Sequence, residues 1–268
     1  MKEKIWKQIS EVRTKSPLVH NITNYVVMNN TANALLAAVA SPVMAHAQAE
    51  VQDMVNIAGA LVVNIGTLDE YWVESMELAA GRAKEQAKPW VLDPVGAGAT
   101  PFRNQVLQSL LKLQPSVIRG NASEIMAITN VPGGTKGVDS IHESVDAVSS
   151  AKHLNQQTGS VVCVSGAADI IIHESRVVKL SNGDPLMSKV TGLGCTASAL
   201  IGAFVAVNPA DPFLATVSAM AFLGVAGELA ARKSAGPGSL QLNLLDVLYS
   251  LPQEEFMSVI RIEEKNEE

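Results

Sequence analysis

Two kinds of segment alternate along the chain, and this alternation narrows the fold more than any other feature. Short runs rich in β-branched and apolar residues, "SPVM", "ALVVNIG", "PWVLDPVG", "SVIRGN" and "SVVCVSG", mostly end in a Gly, Asn or Asp. Between them lie longer stretches, "NTANALLAAVA", "LDEYWVESMELAAGRAKEQA" and "ESVDAVSSAKHLNQQ", with apolar residues three and four apart. Strand-like runs alternating with helix-like ones predict βαβ units around a mostly parallel sheet flanked by helices on both faces. With 268 residues, of which 47% are hydrophobic, the chain is expected to fold as one α/β domain over residues 1–268. "HESRVVKL" predicts an edge strand or hairpin, "PFLATVSAMAFLGVAGELAARK" a long helix stopped by "SAGPGS", and "RIEEKNEE" a charged, frayed tail.

Charge limits the partners. The net charge is -6 and the pI about 5.4, and no run of Lys and Arg exceeds a dipeptide, so neither nucleic acid nor an anionic membrane is expected to bind. Small molecules remain. The opening "MKEKIWKQISEVRTKSP" lacks the apolar core of a signal peptide, and "ASALIGAFVAV" is about half the ~20 residues that span a bilayer, so no membrane segment is expected. With two cysteines, Cys163 and Cys195, a reducing cytoplasm is the expected location.

In an open parallel sheet ligands bind beyond the carboxyl ends of the strands, which predicts a site gathering Asn64, Asp93 and Asn121. The turn "TGLGCTASA" supplies its most reactive group. Gly192 and Gly194 let backbone N–H groups approach a ligand, and a following helix adds roughly half a positive charge, which makes an anion hole. A helix N-terminus also favours the thiolate, which marks Cys195, whereas Cys163 within "VVCV" reads as a small buried hydrophobe. "VLDPVGAG" and "RGNASEI" bring Asp93, Arg119, Asn121 and Glu124 to one sheet edge, and Asp93 with Glu124 is the pair expected to hold Mg²⁺ together with substrate phosphates. Taken singly, Asp93 reads equally as a turn residue and Glu124 as a first-turn helix acid. The amide-rich "HNITNYVVMNNTANAL" is expected either to orient a polar ligand or to cap helices and satisfy loop backbone. Histidines 20, 46, 142, 153 and 173 lack zinc-ligand spacing, and no P-loop signature occurs.

Taken together, "SPLVHNITNYV", "LDPVGAGAT", "IRGNASEI" and "VTGLGCTASA", in that order over nearly the whole chain, resemble the hydroxyethylthiazole kinase family of the ribokinase-like superfamily. The resemblance implies ATP- and Mg²⁺-dependent phosphorylation of 4-methyl-5-(2-hydroxyethyl)thiazole in thiamine biosynthesis. By position it implies that Met44 and Gly192 bind the thiazole, and Arg119 and Ser165 bind ATP. Threonine is frequent in the family where Ser165 stands here. It further implies a homotrimer with sites at subunit interfaces, so that Asn24 and its neighbours would serve an adjacent protomer. Where sugar kinases of the superfamily carry G-x-G-D with the aspartate as base, this chain has G-L-G-C, so Cys195 is either a thiolate base or a group that shapes the hole. Two rivals share these features: a nicotinamide-dependent dehydrogenase and a non-catalytic thiazole-binding sensor. The first would need an acidic residue about 20 positions after the glycine turn. Asp211 is near that spacing but lies in "NPADPF", which does not read as a strand end.

Overall fold

The computed structural model describes residues 1–129 and 140–266, the side chains of 140–145 and 266 excepted. The first half runs α1 (Lys2–Lys15), β1 (Leu18–Ile22), α2 (Met28–Ala37), β2 (Ser41–Val43), α3 (Val51–Ile57), β3 (Ala60–Asn64), α4 (Glu70–Glu85), β4 (Trp90–Asp93), α5 (Pro101–Leu111) and β5 (Val117–Asn121). Next come α6 (Ala122–Thr129), α7 (Ser140–Thr158), β6 (Val161–Ser165), β7 (Asp169–His173), β8 (Arg176–Leu180) and a 3₁₀ turn at Pro185–Lys189. Helices α8 (Leu193–Val207), α9 (Pro212–Arg232), α10 (Pro237–Ser250) and α11 (Gln253–Val259) precede β9 (Ile262–Asn266).

Among the described residues the strands form one sheet in the order β2-β1-β3-β4-β5-β6-β7-β8-β9. Pairs from β2 across to β6 are parallel, and those from β6 to β9 are antiparallel. The expected mostly parallel sheet is therefore observed, and so are helices on both faces. Along β3, Ala60 and Val62 enter one core while Leu61 and Val63 enter the other. Both faces are dry, which is why such a strand reads as an uninterrupted apolar run. Helices α1, α2, α8, α9 and α10 cover one face; α3, α4, α5 and α7 cover the other.

The apolar run that ends in "ASALIGAFVAV" is α8, buried nearly all round, as a helix without a polar stripe must be. Among the described residues α9 alone has the length and hydropathy to cross a bilayer, yet 89% of its apolar window is buried in the domain. It is a core helix.

Two segments differ from a reading by apolar periodicity. The amide-rich stretch begins inside a strand, since Leu18–Ile22 forms β1, with His20 and Asn21 at 0% and 1% exposure. His20 Nε2 meets the Ala45 carbonyl at 2.7 Å, Asn21 Nδ2 donates to Val19 O at 3.0 Å, and burial lowers the His20 pKa. Polar residues on a fully buried strand hid it from a reading based on apolar runs. The tail is not frayed over its described residues: Ile262–Asn266 pairs with β8 from Leu180↔Ile262 to Arg176↔Asn266. Lys179 and Glu263 meet across that pair at 3.2 Å, and charges of this kind suit an edge strand that must not recruit a further one.

Helix α8 lies against β1 and β3 so closely that a Cβ on Gly202 would come within 2.5 Å of Val62 Cγ2 and 3.0 Å of Val19 Cγ1. Gly202→Ala should therefore destabilise the fold by about 1–3 kcal/mol. Gly81→Ala, at a helical position with nothing within 4 Å, should stabilise it by about 0.5–1 kcal/mol. Urea denaturation of the two variants beside the parent checks both signs.

Candidate functional site

At the carboxyl ends of β5 and β6 a cavity of about 790 Å³ opens against the N-terminal turn of α8. Gly192 starts that turn with φ 81°, and a Cβ there would also stand 2.5 Å from Val27 Cγ1, so backbone and space both demand glycine. At Gly194 the reason is different. A Cβ would lie 2.7 Å from Arg119 Nη1 and 2.9 Å from Nη2, because the guanidinium packs directly on the turn.

Arg119 is 11% exposed and held at both ends of its fork. Nη1 faces Asp93 Oδ1 at 3.7 Å, and Nη2 donates to Ser165 Oγ at 2.6 Å. Ser165 Oγ donates in turn to Gly120 O at 3.3 Å. Asp93 has no exposed surface, and its Oδ2 accepts from Asn64 Nδ2 at 2.7 Å and from Ser198 Oγ at 2.9 Å. Burial pushes the Asp93 pKa up, against the pull of Arg119 and the two hydrogen bonds. Asn64 Oδ1 accepts from Gly66 N and from Asn24 Nδ2, both at 2.9 Å, and Asn24 Nδ2 also lies 3.5 Å from Cys195 Sγ. Cys195, Asn24, Asn64, Asp93, Ser198, Arg119 and Ser165 thus form one connected polar cluster beside the cavity.

Arg119, Ser165, Gly192 and Gly194 line the cavity, together with Asn121. Asp93 and Glu124 do not, and the two-carboxylate magnesium clamp expected of them does not fit. Asp93 is enclosed and turned to Arg119, while Glu124 Oε1 and Oε2 accept from Gly96 N at 3.0 Å and Asn121 N at 2.9 Å. Asn121 Oδ1 accepts from Glu124 N at 2.9 Å, so N-A-S-E is a reciprocal cap on α6, and the first-turn reading of Glu124 describes its contacts. Among the described residues no three His, Cys, Asp or Glu side chains gather as a metal cage.

Asn24 also differs from expectation. Only 5% exposed, it spends its amide within its own chain, although Tyr25 and Val26 beside it are 58% and 63% exposed. Met44 lies outside the cavity, just past edge strand β2 and four strands from β5, about 19 Å away at normal strand spacing. Nearby, Trp72 packs between Tyr25 and His46 with ring centroids 4.7 and 4.6 Å away and the rings tilted by 44° and 33°.

Helix dipole and thiol do not combine as predicted. Burial, and after it the charge of Asp93, push the Cys195 pKa up to about 11 in spite of the Asn64 and Asn24 hydrogen bonds and Arg119. The thiol is neutral at rest. Asp169, a cavity residue absent from the sequence reading, has its pKa raised to about 6 by burial, opposed by the Gly166 N–H and by Arg119. Only hairpin geometry brings it there. Ser198 was legible in principle, since it follows Cys195 by three residues on one helix and so shares its face.

A model of the hydroxyethylthiazole kinase family matches residues 9–254. The hydroxyethylthiazole kinase of Syntrophus aciditrophicus is 55% identical over 262 residues, 97% of each chain, and that of Leptospira biflexa 58% identical over 241 residues, 90% of each. The solved structure of the hydroxyethylthiazole kinase protein from Pyrococcus horikoshii superposes with a TM-score of 0.90 at 42% identity, covering 98% of this chain and 99% of the other. Staphylococcus aureus pyridoxal kinase in complex with ADP reaches a TM-score of 0.62 at 16% identity over 79% of this chain and 88% of its own, a likeness of fold.

The thiol supplies a direct check. Iodoacetamide labelling of Cys195 should rise tenfold per pH unit through pH 9 and 10 without levelling, because only the thiolate reacts and its pKa is about 11. A plateau near pH 8, followed by mass spectrometry, would contradict the assigned environment; Cys163, fully buried, should stay unlabelled.

Proposed function

Because the chain belongs to the hydroxyethylthiazole kinase family, we propose that the cavity beside Arg119 is where it phosphorylates 4-methyl-5-(2-hydroxyethyl)thiazole with ATP in thiamine salvage. One observation carries this reading: a guanidinium braced by Asp93 and Ser165 against the α8 turn, lining a cavity with Cys195 next to it. Neither rival has such support. A dehydrogenase needs its ribose acid at a strand end, but Asp211 caps α9 through Leu214 N and lies 3.5 Å from Arg176. A sensor has no use for the braced arginine.

In the reaction the alcohol oxygen bonds to the γ-phosphorus, the bond from that phosphorus to the β–γ bridging oxygen breaks, ADP leaves with its electron pair, and the alcohol proton passes to a base. The transition state is loose, so positioning and charge stabilisation dominate. Arg119 and the N–H groups after Gly192 face the phosphates, donors fixed before the charge develops. Mg²⁺, arriving with ATP, would neutralise phosphate charge; with Asp93 enclosed and both Glu124 oxygens accepting backbone N–H groups, phosphate oxygens and water would supply most of its ligands. Cys195, in the α8 turn beside the cavity, is taken as the base. With a pKa of about 11, about 10⁻⁴ of it is thiolate at pH 7, which suits a proton that leaves late.

Met44 is too far from Arg119 to serve the cavity of its own chain. This supports a homotrimer in which Met44 of one copy meets the thiazole held by another, and the exposed Tyr25 and Val26 are available to such an interface. A cytoplasmic location agrees with two cysteines that form no disulfide.

Formation of the thiazole phosphate from ATP, followed by phosphorus NMR, tests the reading. Cys195→Ala should lower kcat at least ~10-fold with the ATP KM little changed, whereas Cys195→Asp should raise kcat, since a carboxylate is far more populated as base, and raise the ATP KM by placing charge beside the phosphates. An alanine variant with parental kcat removes Cys195 from the proton transfer. Arg119→Lys keeps the charge but cannot span Asp93 and Ser165, so kcat should fall ~10²-fold or more. Parental turnover in the lysine variant would leave charge as the only requirement.

A further inference from the structure

Asn64 touches both halves of the site. It ends β3 with 1% exposure, and both its amide nitrogen and its amide oxygen are engaged. Through Nδ2 it donates to Asp93 Oδ2 at 2.7 Å, and Asp93 in turn faces Arg119 at 3.7 Å, on the phosphate side. Through Oδ1 it accepts from Asn24 Nδ2 at 2.9 Å, and Asn24 reaches Cys195 Sγ at 3.5 Å, on the side of the alcohol. Oδ1 also accepts from Gly66 N at 2.9 Å, and a Cβ on Gly66 would stand 2.7 Å from Asn24 Nδ2, so the loop after β3 closes over this pair and permits no larger residue. That loop is fixed as well: Arg103 donates to the carbonyls of Ile65 and Gly66 and, at 2.8 Å, to that of Val95 after β4.

Ser198 gives a contrast within the same cluster. It donates to the same Asp93 oxygen, at 2.9 Å, but with its one hydroxyl proton spent there it makes no bond toward Asn24. Asn64 therefore links the two sides, and Ser198 supports one of them. Only an amide of this length offers the donor for a carboxylate and the acceptor for a second amide from one planar group.

We propose that Asn64 is a positioning residue that holds the base and acceptor side, Asn24 with Cys195, in register with the phosphate side, Asp93 with Arg119. This rests on the kinase reading above and goes beyond it in saying what sets the distance between nucleophile and phosphorus. Reacting atoms must be held within ~3–3.5 Å, and a 1 Å error costs up to ~10²-fold in rate. When the register is lost, water competes with the alcohol for the γ-phosphate.

The experiment compares Asn64→Asp, Asn64→Leu and Ser198→Ala with the parent for kcat, for the KM of ATP, and for the ratio of ADP formed to thiazole phosphate formed. Thermal denaturation gives the folded fraction of each. Asn64→Asp keeps the shape and the acceptor but puts an oxygen where the donor faced Asp93; Asn64→Leu removes both bonds. Both should lose ~10- to 10²-fold in kcat with the ATP KM within about two-fold, and both should raise the ADP-to-product ratio above the parental value. Ser198→Ala should leave that ratio at one. The inference is overturned if the Asn64 variants keep the parental ratio, if their kcat falls only in step with folded protein, or if Ser198→Ala uncouples as much as they do. Should Asn64→Leu fail to fold, Asn64→Asp alone decides. A parent that makes no thiazole phosphate would instead fail the kinase reading, so the two failures stay distinct.

Discussion

Asp93 is a carboxylate with none of its surface in water, and an ion enclosed to that degree is destabilising by several kcal/mol unless charge and hydrogen bonds are brought to it. Much of the site is the means of doing so. Arg119 supplies the charge, and Asn64 and Ser198 supply the donors, from the strands on either side of β4 and from the helix above. In return Asp93 holds the guanidinium at an angle that lets its other end reach Ser165. Glycine at 194 follows from the same packing, since any side chain there would push the guanidinium away. Breaking one partner of such a cluster leaves another group buried without compensation, which is why its members act together.

The parallel part of the sheet was legible because its strands are dry on both faces and end in Gly, Asn or Asp. The runs around Val62, Leu92, Ile118 and Val162 could hardly be anything else. Legibility failed where burial and polarity were uncoupled. In β1, His20 and Asn21 are polar but enclosed; in β9, Glu263, Glu264 and Lys265 are charged but paired in an antiparallel edge. Neither state follows from periodicity, because both depend on which neighbour the topology supplies.

For the site, the motif residues were legible and their partners were not. Gly192, Gly194, Arg119 and Ser165 stand out in sequence and converge at the cavity. What Asp93 and Glu124 do with their oxygens is decided by residues as far away as Ser198 and Gly96, so the spacing of two acids could not distinguish a metal clamp from a buried ion pair and a helix cap. Asn24 shows the same limit: its amide is identifiable, but its direction, inward toward Asn64 and Cys195, is set by the closure of the loop at Gly66.

These constraints also explain why a thiol rather than a carboxylate can stand in the α8 turn. With the thiol neutral, the cluster at rest contains one buried anion and one buried cation, Asp93 and Arg119, in balance. A second carboxylate in the α8 turn would add a permanent negative charge near Asp93 and beside the incoming phosphates, weakening the hold on ATP even as it provided a ready base. Cysteine avoids the standing charge: about 10⁻⁴ of it is thiolate at pH 7, and that thiolate becomes a neutral thiol on taking the alcohol proton late in a loose transition state. The arrangement favours binding of the polyanion over speed of proton transfer, because Asp93 already places one buried negative charge in the cluster, offset by Arg119 and by the Asn64 and Ser198 donors.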